Sequence, residues 1–401
     1  MRWPAAWRDP AALELLRKTP INCLVCDDSP DPSVASRARE SGLEVLSAKA
    51  LPGDVRLVKG EWPGVRGRRR QRGSDRFEAG PTGAPWFDSN GWRVRLEGTL
   101  RPGKAVWIDA APPQGLIDPV EYVLAVADAS AHGGRWVIAL DPELAQGLSE
   151  RQPAALQTWA RLAGTLRFFA GHPEWAAYQP MGAVVVVSDF AGGNEFLSHE
   201  VLNLTARQHQ PYRIVEKAKL ASASLEGARA AVYPDAGAPP ADVRKRLLRF
   251  AEEGGLVVAG PSWRDKPGEL PAETHPRFWV RRVGKGRVAA SKEEMTDPYL
   301  VASDAVVLLS HDADVVRFFN ATACGSYATR SPDRVLIHVL NYATRQARWP
   351  LSMEVAGRYR AAKIWRPEET AAQPLKVAPS RVGVELHLPE VAVYAAVELT
   401  E

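Results

Sequence analysis

The sequence predicts an α/β protein in three parts: a partial or divergent (β/α) barrel, a flavodoxin-like doubly wound domain, and a small C-terminal antiparallel β-sandwich. Through the first two-thirds, short apolar, β-branched runs alternate with amphipathic helical stretches, the mark of parallel α/β architecture. The run Ala183-Val184-Val185-Val186-Val187 restarts that alternation. Beyond about residue 330 the pattern becomes short alternating strands punctuated by Gly and Pro, which describes a sandwich. A chain of 401 residues has room for these parts, with expected bounds 1–180, 181–325 and 326–401.

The elements follow in order. A helix over residues 10–18 leads into a strand over 21–26, and helix 33–40 stops at Gly42, a C-cap residue. Strands follow at 43–47 and 55–59, the second stopping at Gly60-Glu61-Trp62-Pro63-Gly64, and a long polar loop then runs to about Pro85. Helix 91–100 is closed by Pro102-Gly103, strand 105–108 ends at Asp109, and helix 119–131 is closed by Gly133-Gly134. Strand 136–140 ends at Asp141, and helix 153–170 closes a series that falls short of the full set of a closed β/α barrel. The middle part reads as strand 183–187, helix 194–208, strands 213–216 and 228–233, helix 241–253 and strand 256–259. Pro239-Pro240-Ala241-Asp242 gives that second helix its start and Gly254 its stop. Residues 263–275 are Pro-rich and read as loop, and sandwich strands are expected at 334–341, 351–355, 362–365, 375–377, 382–388 and 391–399.

Composition excludes several classes. The 51 basic and 47 acidic side chains leave a charge of +4, too even for an electrostatic nucleic-acid binder. No apolar run approaches the roughly 18 residues of a membrane span, so no membrane partner is expected. Met1-Arg2-Trp3-Pro4 has no apolar signal region, so the expected location is cytoplasmic, or secreted with the signal peptide already removed. Three cysteines make no disulfide framework, and eight His with no HxH or HExxH spacing argue for neither metal nor cofactor. The 13 Trp outnumber 10 Phe and 9 Tyr, a bias that suits a sugar-facing protein.

The order barrel, flavodoxin-like unit, sandwich resembles that of the (β/α)-barrel β-galactosidases that carry a glutamine-amidotransferase-like trimerisation domain. The residues behind the resemblance are Ala183–Phe190, Tyr212–Glu216, Ala230–Pro234 and Gly254-Gly255-Leu256-Val257-Val258, then Val335–Tyr342 leading into Leu386–Leu399. It implies a glycosidase acting on a β-linked carbohydrate, with a homo-oligomer (trimer or dimer) as the assembly. The barrel part departs from the family: its Asn-Glu pair after the fourth strand and its second Glu on a late strand are absent. A non-catalytic carbohydrate-binding or assembly protein on a degenerate scaffold therefore stands as the alternative.

Strand after strand in the first part ends in an acid: Asp27-Asp28, Glu61, Asp109 and Asp141. In β/α barrels the C-terminal strand ends form the active-site face. Glycoside hydrolysis needs two carboxyl groups, one to protonate the leaving oxygen and one to attack C1 or activate water. Glu61 as general acid/base and Asp109 as nucleophile are the expected retaining pair, because their strands are consecutive. Asp27 and Asp141 would share the mouth as substrate ligands, while helix N-capping explains Asp27, Asp28 and Asp141 equally well. Aromatic rings cluster near these acids. Trp62 and Trp86 are candidates to stack on a pyranose, with Asp88 and Asn90 of the segment entering helix 91–100 as polar partners. Trp92 and Trp107 read better as core.

Other motifs point away from chemistry. The Arg66, Arg68, Arg69, Arg70, Arg72 and Arg76 run has Asp75 and Glu78 beside it and reads as a solvated loop, with an acidic-sugar subsite as its other reading. Cys23 and Cys26 sit in one strand, where i and i+3 face opposite ways, so they read as packing. Cys324 with His311 hints at an amidotransferase nucleophile, but Pro234-Asp235-Ala236 occupies the place of the elbow, so the middle part reads as catalytically silent. Gly192-Gly193-Asn194-Glu195 lacks the spaced glycines of a nucleotide fingerprint.

Overall fold

A computed structural model describes residues 1–70, 77–81, 87–113, 118–263, 273–310, 313–321, 323–343 and 350–401. The fold is mixed α/β. Its first strands are β1 (Cys23–Cys26), β2 (Glu44–Ser47), β3 (Val55–Lys59), β4 (Val65–Arg70), β5 (Phe77–Pro81), β6 (Ala105–Asp109) and β7 (Arg135–Trp136). β1 pairs with β2, and β6 lies between β3 and β7, all in parallel. Residues 1–3 join the two sheets: Val25 N–H donates to Met1 O, and Arg2 N–H donates to Ile138 O, both at 2.8 Å. One hydrogen-bonded series therefore runs β2, β1, residues 1–3, the 135–138 segment, β6, β3. Its alternate side chains Cys23, Val25, Leu46, Leu57, Trp107 and Val137 pack together on one face. On the other face Leu24, Cys26, Ile108 and Ile138 meet the helices. Cys23 and Cys26 thus fall in different cores, as strand alternation requires.

The helices of this part are α1 (Pro32–Glu40), α2 (Gly91–Leu100), α3 (Pro119–Ala131), α4 (Pro142–Ser149) and α5 (Pro153–Ala170). Three of them start on Asp-Pro. Asp31, Asp118 and Asp141 each accept an amide N–H of the first turn while the proline fills the first helical position. The carboxylate satisfies a donor that helix geometry leaves over, and proline loses nothing where no N–H is needed. The long polar loop expected after Gly64 instead contains the antiparallel pair β4–β5. Strand 136–140 shortens to β7.

The middle sheet contains β9 (Val184–Ser188), β10 (Tyr212–Glu216), β11 (Ala230–Tyr233), β12 (Leu256–Ala259), β13 (Glu273–Thr274), β14 (Phe278–Val283) and β15 (Gly286–Ser291), in the order β10-β9-β11-β12-β15-β14-β13. β8 is the short strand Gln179–Pro180. β10, β9, β11, β12 and β15 are parallel, and β9, β11 and β12 are buried along their length. Helices α6 (Glu195–Arg207), α7 (Ala241–Glu252) and α8 (Pro298–Leu309) cover the sheet. The β14–β15 hairpin and α8 have no counterpart in the sequence reading, which assigned no elements between the Pro-rich stretch and residue 334.

The last part has two antiparallel sheets over a shared core. One comprises β16 (Val316–Phe319), β19 (Leu351–Ala356), β22 (Val377–Pro379) and β23 (Gly383–Leu388). The other comprises β8, β17 (Cys324–Arg330), β18 (Arg334–Asn341), β20 (Ala361–Trp365), β21 (Gln373–Leu375) and β24 (Tyr394–Thr400). Met353, Val355 and Leu386 of the first meet Ile337, Val339 and Val397 of the second. β16 and β17, which precede residue 326 in whole or in part, pair with these sheets. The three parts share side chains. Trp92 and Leu96 of α2 enter the middle core, and the Arg95 guanidinium lies 3.9 Å from the ring centroid of Tyr212 and 4.6 Å from that of Tyr327. Among the described residues no helix is long and apolar enough to cross a membrane.

Candidate active site

β3 and β6 are parallel neighbours with Lys59 opposite Asp109, so both chains leave the sheet at the same C-terminal edge. The Gly60 N–H donates to the Asp109 carbonyl at 2.9 Å, and the next residue, Glu61, turns out of the sheet. Glu61, Asp109, Asp88, Lys59 and Trp62 border one open cleft of about 680 Å³. The two acids that the sequence reading paired are therefore brought together, with Asp88 beside them.

Each carboxylate in the cleft has an arginine. Glu61, about half exposed at 52 %, accepts from Arg93 Nη2 at 3.2 Å, and Arg93 stacks over Trp92. Arg2 forks between Asp27 and Asp109. Burial opposes the Arg2 charge, but its hydrogen bonds to both carboxylates outweigh this and hold the guanidinium more firmly protonated than usual. Asp88 is buried, and Arg207 Nη2 lies 3.5 Å from its Oδ1.

Asn90 is fully buried, and its side chain is spent on the main chain beneath Glu61. Its Oδ1 accepts the Glu61 N–H at 2.9 Å, and its Nδ2 donates to the Glu61 carbonyl at 2.8 Å and to Asp128 Oδ2 at 3.0 Å. Asp128 also accepts the Asn90 N–H at 2.8 Å and the Tyr342 hydroxyl at 2.6 Å. Burial pushes the Asp128 carboxyl up to about 6, against the pull of these donors. His132 Nδ1 donates to the Asp128 carbonyl at 2.8 Å, and burial pushes this imidazole down to about 4. Gly60 is glycine for lack of space: a Cβ there would lie 2.2 Å from Ile108 Cγ2 and 2.8 Å from Asn90 Oδ1. Gly60→Ala is expected to destabilise the fold by about 1–3 kcal/mol through overpacking. A urea midpoint unchanged from wild type would show that the turn can shift aside.

Several expected site residues have other work. Asn90 clamps the Glu61 main chain. The Trp62 ring is 5 % exposed and packs edge-on against Tyr122 and Trp136, at 5.0 and 5.4 Å, so it is core beneath the cleft and offers no free stacking face. Asp141 is the N-cap of α4, accepting from Glu143 N–H, Leu144 N–H and the Tyr122 hydroxyl, and it does not border the cleft. Asp27 is exposed and reaches the cleft only through Arg2. Trp92 and Trp107 are buried, as read. Trp86, Arg72, Arg76 and His311 lie outside the described residues, as do the side chains of Arg66 to Arg70. Cys324 is buried, and burial pushes its thiol up to about 12, which leaves no reactive thiolate near neutral pH.

The sequence reading missed Arg2, Arg93, Arg207, Asp128 and Tyr342. Arg93, one turn along α2 from Asn90, was within reach of helical spacing. The others meet the site only through tertiary packing.

No protein-family model matches the chain, and no curated protein matches it in sequence. Solved structures do match in fold. A β-galactosidase from Bacillus circulans sp. alkalophilus is similar at 10 % identity with a TM-score of 0.53, covering 78 % of this chain and 58 % of that one. A GH42 β-galactosidase from G. stearothermophilus is similar at 10 % identity and a TM-score of 0.52, covering 78 % and 56 %. An α-L-fucosidase, isoenzyme 2 from Paenibacillus thiaminolyticus, is similar at 11 % identity and a TM-score of 0.55, covering 97 % and 79 %. The chain thus spans little more than half the length of the two β-galactosidases.

Proposed function

We propose that this chain, which shares its fold with glycoside hydrolases, is itself a glycosidase-like enzyme that cleaves a β-linked glycoside with retention. The observation that carries the reading is the cleft holding Glu61 and Asp109 at the C-terminal ends of neighbouring parallel strands, where α/β folds bind their ligands. Glu61 protonates the leaving oxygen while an Asp109 oxygen attacks C1 and the glycosidic bond breaks. Glu61 then takes a proton from the water that cleaves the glycosyl–Asp109 ester and frees the sugar. Arg2 hydrogen-bonds Asp109 and orients it for attack. Asp88 and Lys59 supply polar contacts to the sugar hydroxyls.

On this reading residues 1–180 are an incomplete β/α-barrel unit. The parallel-sheet unit is glutamine-amidotransferase-like and ends before Val316, and the remainder is a β-sandwich. Exposed Phe196 on α6 and Val307 on α8 suit a homo-oligomeric contact. A second reading, a carbohydrate-binding protein without turnover, is favoured by the Arg93–Glu61 and Arg2–Asp109 pairs, which occupy both carboxylates.

Incubation with a panel of aryl β-glycosides separates the two. Wild type is expected to release the aryl group, and Glu61→Gln is expected to lower kcat by about 10²–10⁴-fold, the usual share of a general acid. Asp109→Asn should do at least as much, with melting temperature unchanged in both. Saturable binding without turnover supports the second reading, and turnover that survives both substitutions sinks the assignment.

A further inference from the structure

A second cavity, of about 620 Å³, lies apart from the cleft. It is bounded by the start of β1, the turn from α3 to β7, the end of α5, and β17 and β18. None of Glu61, Asp88 or Asp109 borders it. Its size is within the range of small-molecule sites, roughly 300–1,000 Å³.

Its walls are rings. Trp107, Trp136, Phe169, Trp175, Tyr178 and Tyr327 border it. Three imidazoles join them: His172 stacks on Trp175 at 4.1 Å and 6°, His132 stacks on Tyr327 at 4.9 Å, and the His338 ring lies 5.7 Å from Trp175. Burial pushes His132 down to about 4 and His338 to about 3, so both are neutral at pH 7. Among the described residues no carboxylate side chain borders the cavity, and Arg135, exposed at its edge, is the one lining Arg or Lys. Met1, whose ammonium group donates to the Cys23 carbonyl, also borders it, so Met1 and Arg135 repel a cationic ligand that no carboxylate there would balance, whereas a flat ring finds faces on several sides. Among the described residues the indole N–H groups of Trp107 and Trp136 have no acceptor, and both are closed off from solvent, so an oxygen on the incoming ring meets them once the indoles turn toward the cavity.

We propose that this cavity is a second ligand site, separate from the cleft, for an uncharged planar ring compound that carries oxygen acceptors. Coumarin is a suitable probe, being flat and neutral with carbonyl and ring oxygens. Isothermal titration of the full chain is expected to give one coumarin per chain, together with quenching of tryptophan fluorescence. Ala170 and Ala176 are exposed residues on the cavity wall, so A170W and A176W fill its mouth without disturbing a core. Both are expected to weaken coumarin binding by at least about tenfold, with circular dichroism and melting temperature unchanged. Glu61→Gln and Asp109→Asn are expected to leave coumarin affinity as in wild type. Absence of binding to the wild type, several weak sites, or affinity untouched by both rim variants overturns the proposal. Competition for coumarin by a substrate of the cleft does so too. Aryl glycoside turnover is a separate readout, so this proposal and the glycosidase reading fail independently.

Discussion

Asn90→Ala is expected to destabilise the protein by about 3–5 kcal/mol, because it breaks a buried network and leaves a buried carboxylate short of donors. The Asn90 amide makes three hydrogen bonds, two to the Glu61 main chain and one to Asp128. Alanine removes all three and offers no replacement. The Glu61 N–H and C=O lose partners beside the cleft, and Asp128 keeps only the Asn90 N–H and the Tyr342 hydroxyl. An unmet buried polar group costs about 1–3 kcal/mol, and more when it is charged. Asp128→Asn tests the same network from the other side: it removes the buried charge and is expected to cost less. In the double variant the two losses should fall short of their sum, since the residues share a bond. Urea unfolding of the four proteins measures this. An Asn90→Ala loss below about 1 kcal/mol would mean that the Glu61 turn is held by something else.

Acid is expected to weaken the fold strongly between pH 6.5 and 4. Burial pushes His132 and His209 down to about 4 and His338 to about 3, each from 6.5. Through that window the unfolded chain takes up protons that the folded one refuses, so stability falls as pH falls. Asp128 works in the opposite sense. Its folded value is raised from 3.8 to about 6, so the folded state holds a proton that the unfolded state has released, and acidification restores stability. Each group contributes on the order of 3 kcal/mol when its shift is fully expressed. Three histidines against one aspartate leave a net loss on the order of 6 kcal/mol by pH 4. Urea midpoints at four pH values from 7 to 4 measure it, and a flat profile between pH 6.5 and 5 would sink the argument.

Regular elements were legible where local chemistry sets them. Helices α2, α3 and α5 fall on the expected residues, because each is flanked by its own stop or start signal. The β14–β15 hairpin and α8 were not read, although Asp297-Pro298 announces α8 as clearly as Asp31-Pro32 announces α1. That dipeptide also sorts the acids after the strands. Asp141 is followed by Pro142 and caps a helix, whereas Asp109 precedes Ala110 and Glu61 precedes Trp62, and these two remain at the cleft. The surroundings of Asn90 and Trp62 were not legible because type and position alone cannot say which way a side chain faces. A polar amide after a loop serves a sugar or a main chain equally well, and only Asp128 and Glu61, brought close by packing, decide between them. Arg2 left no sequence signal at all. It reaches Asp27 and Asp109 because residues 1–3 lie against Val25 and Ile138.

Helix α2 has little amphipathic character because it faces two cores. Val94 packs with the first strands, while Trp92 and Leu96 pack with the middle sheet. From the same helix Arg95 reaches Tyr212 on one unit and Tyr327 on another. The sheets on either side of α2 are therefore not interchangeable cassettes. Taking the middle sheet away from α2 would open one indole-sized and one leucine-sized hollow on it, and would leave Tyr212 without the guanidinium it shares with Tyr327. A substitution at Trp92, Val94 or Leu96 is therefore constrained by the core that each enters, with both cores resting on one ten-residue helix.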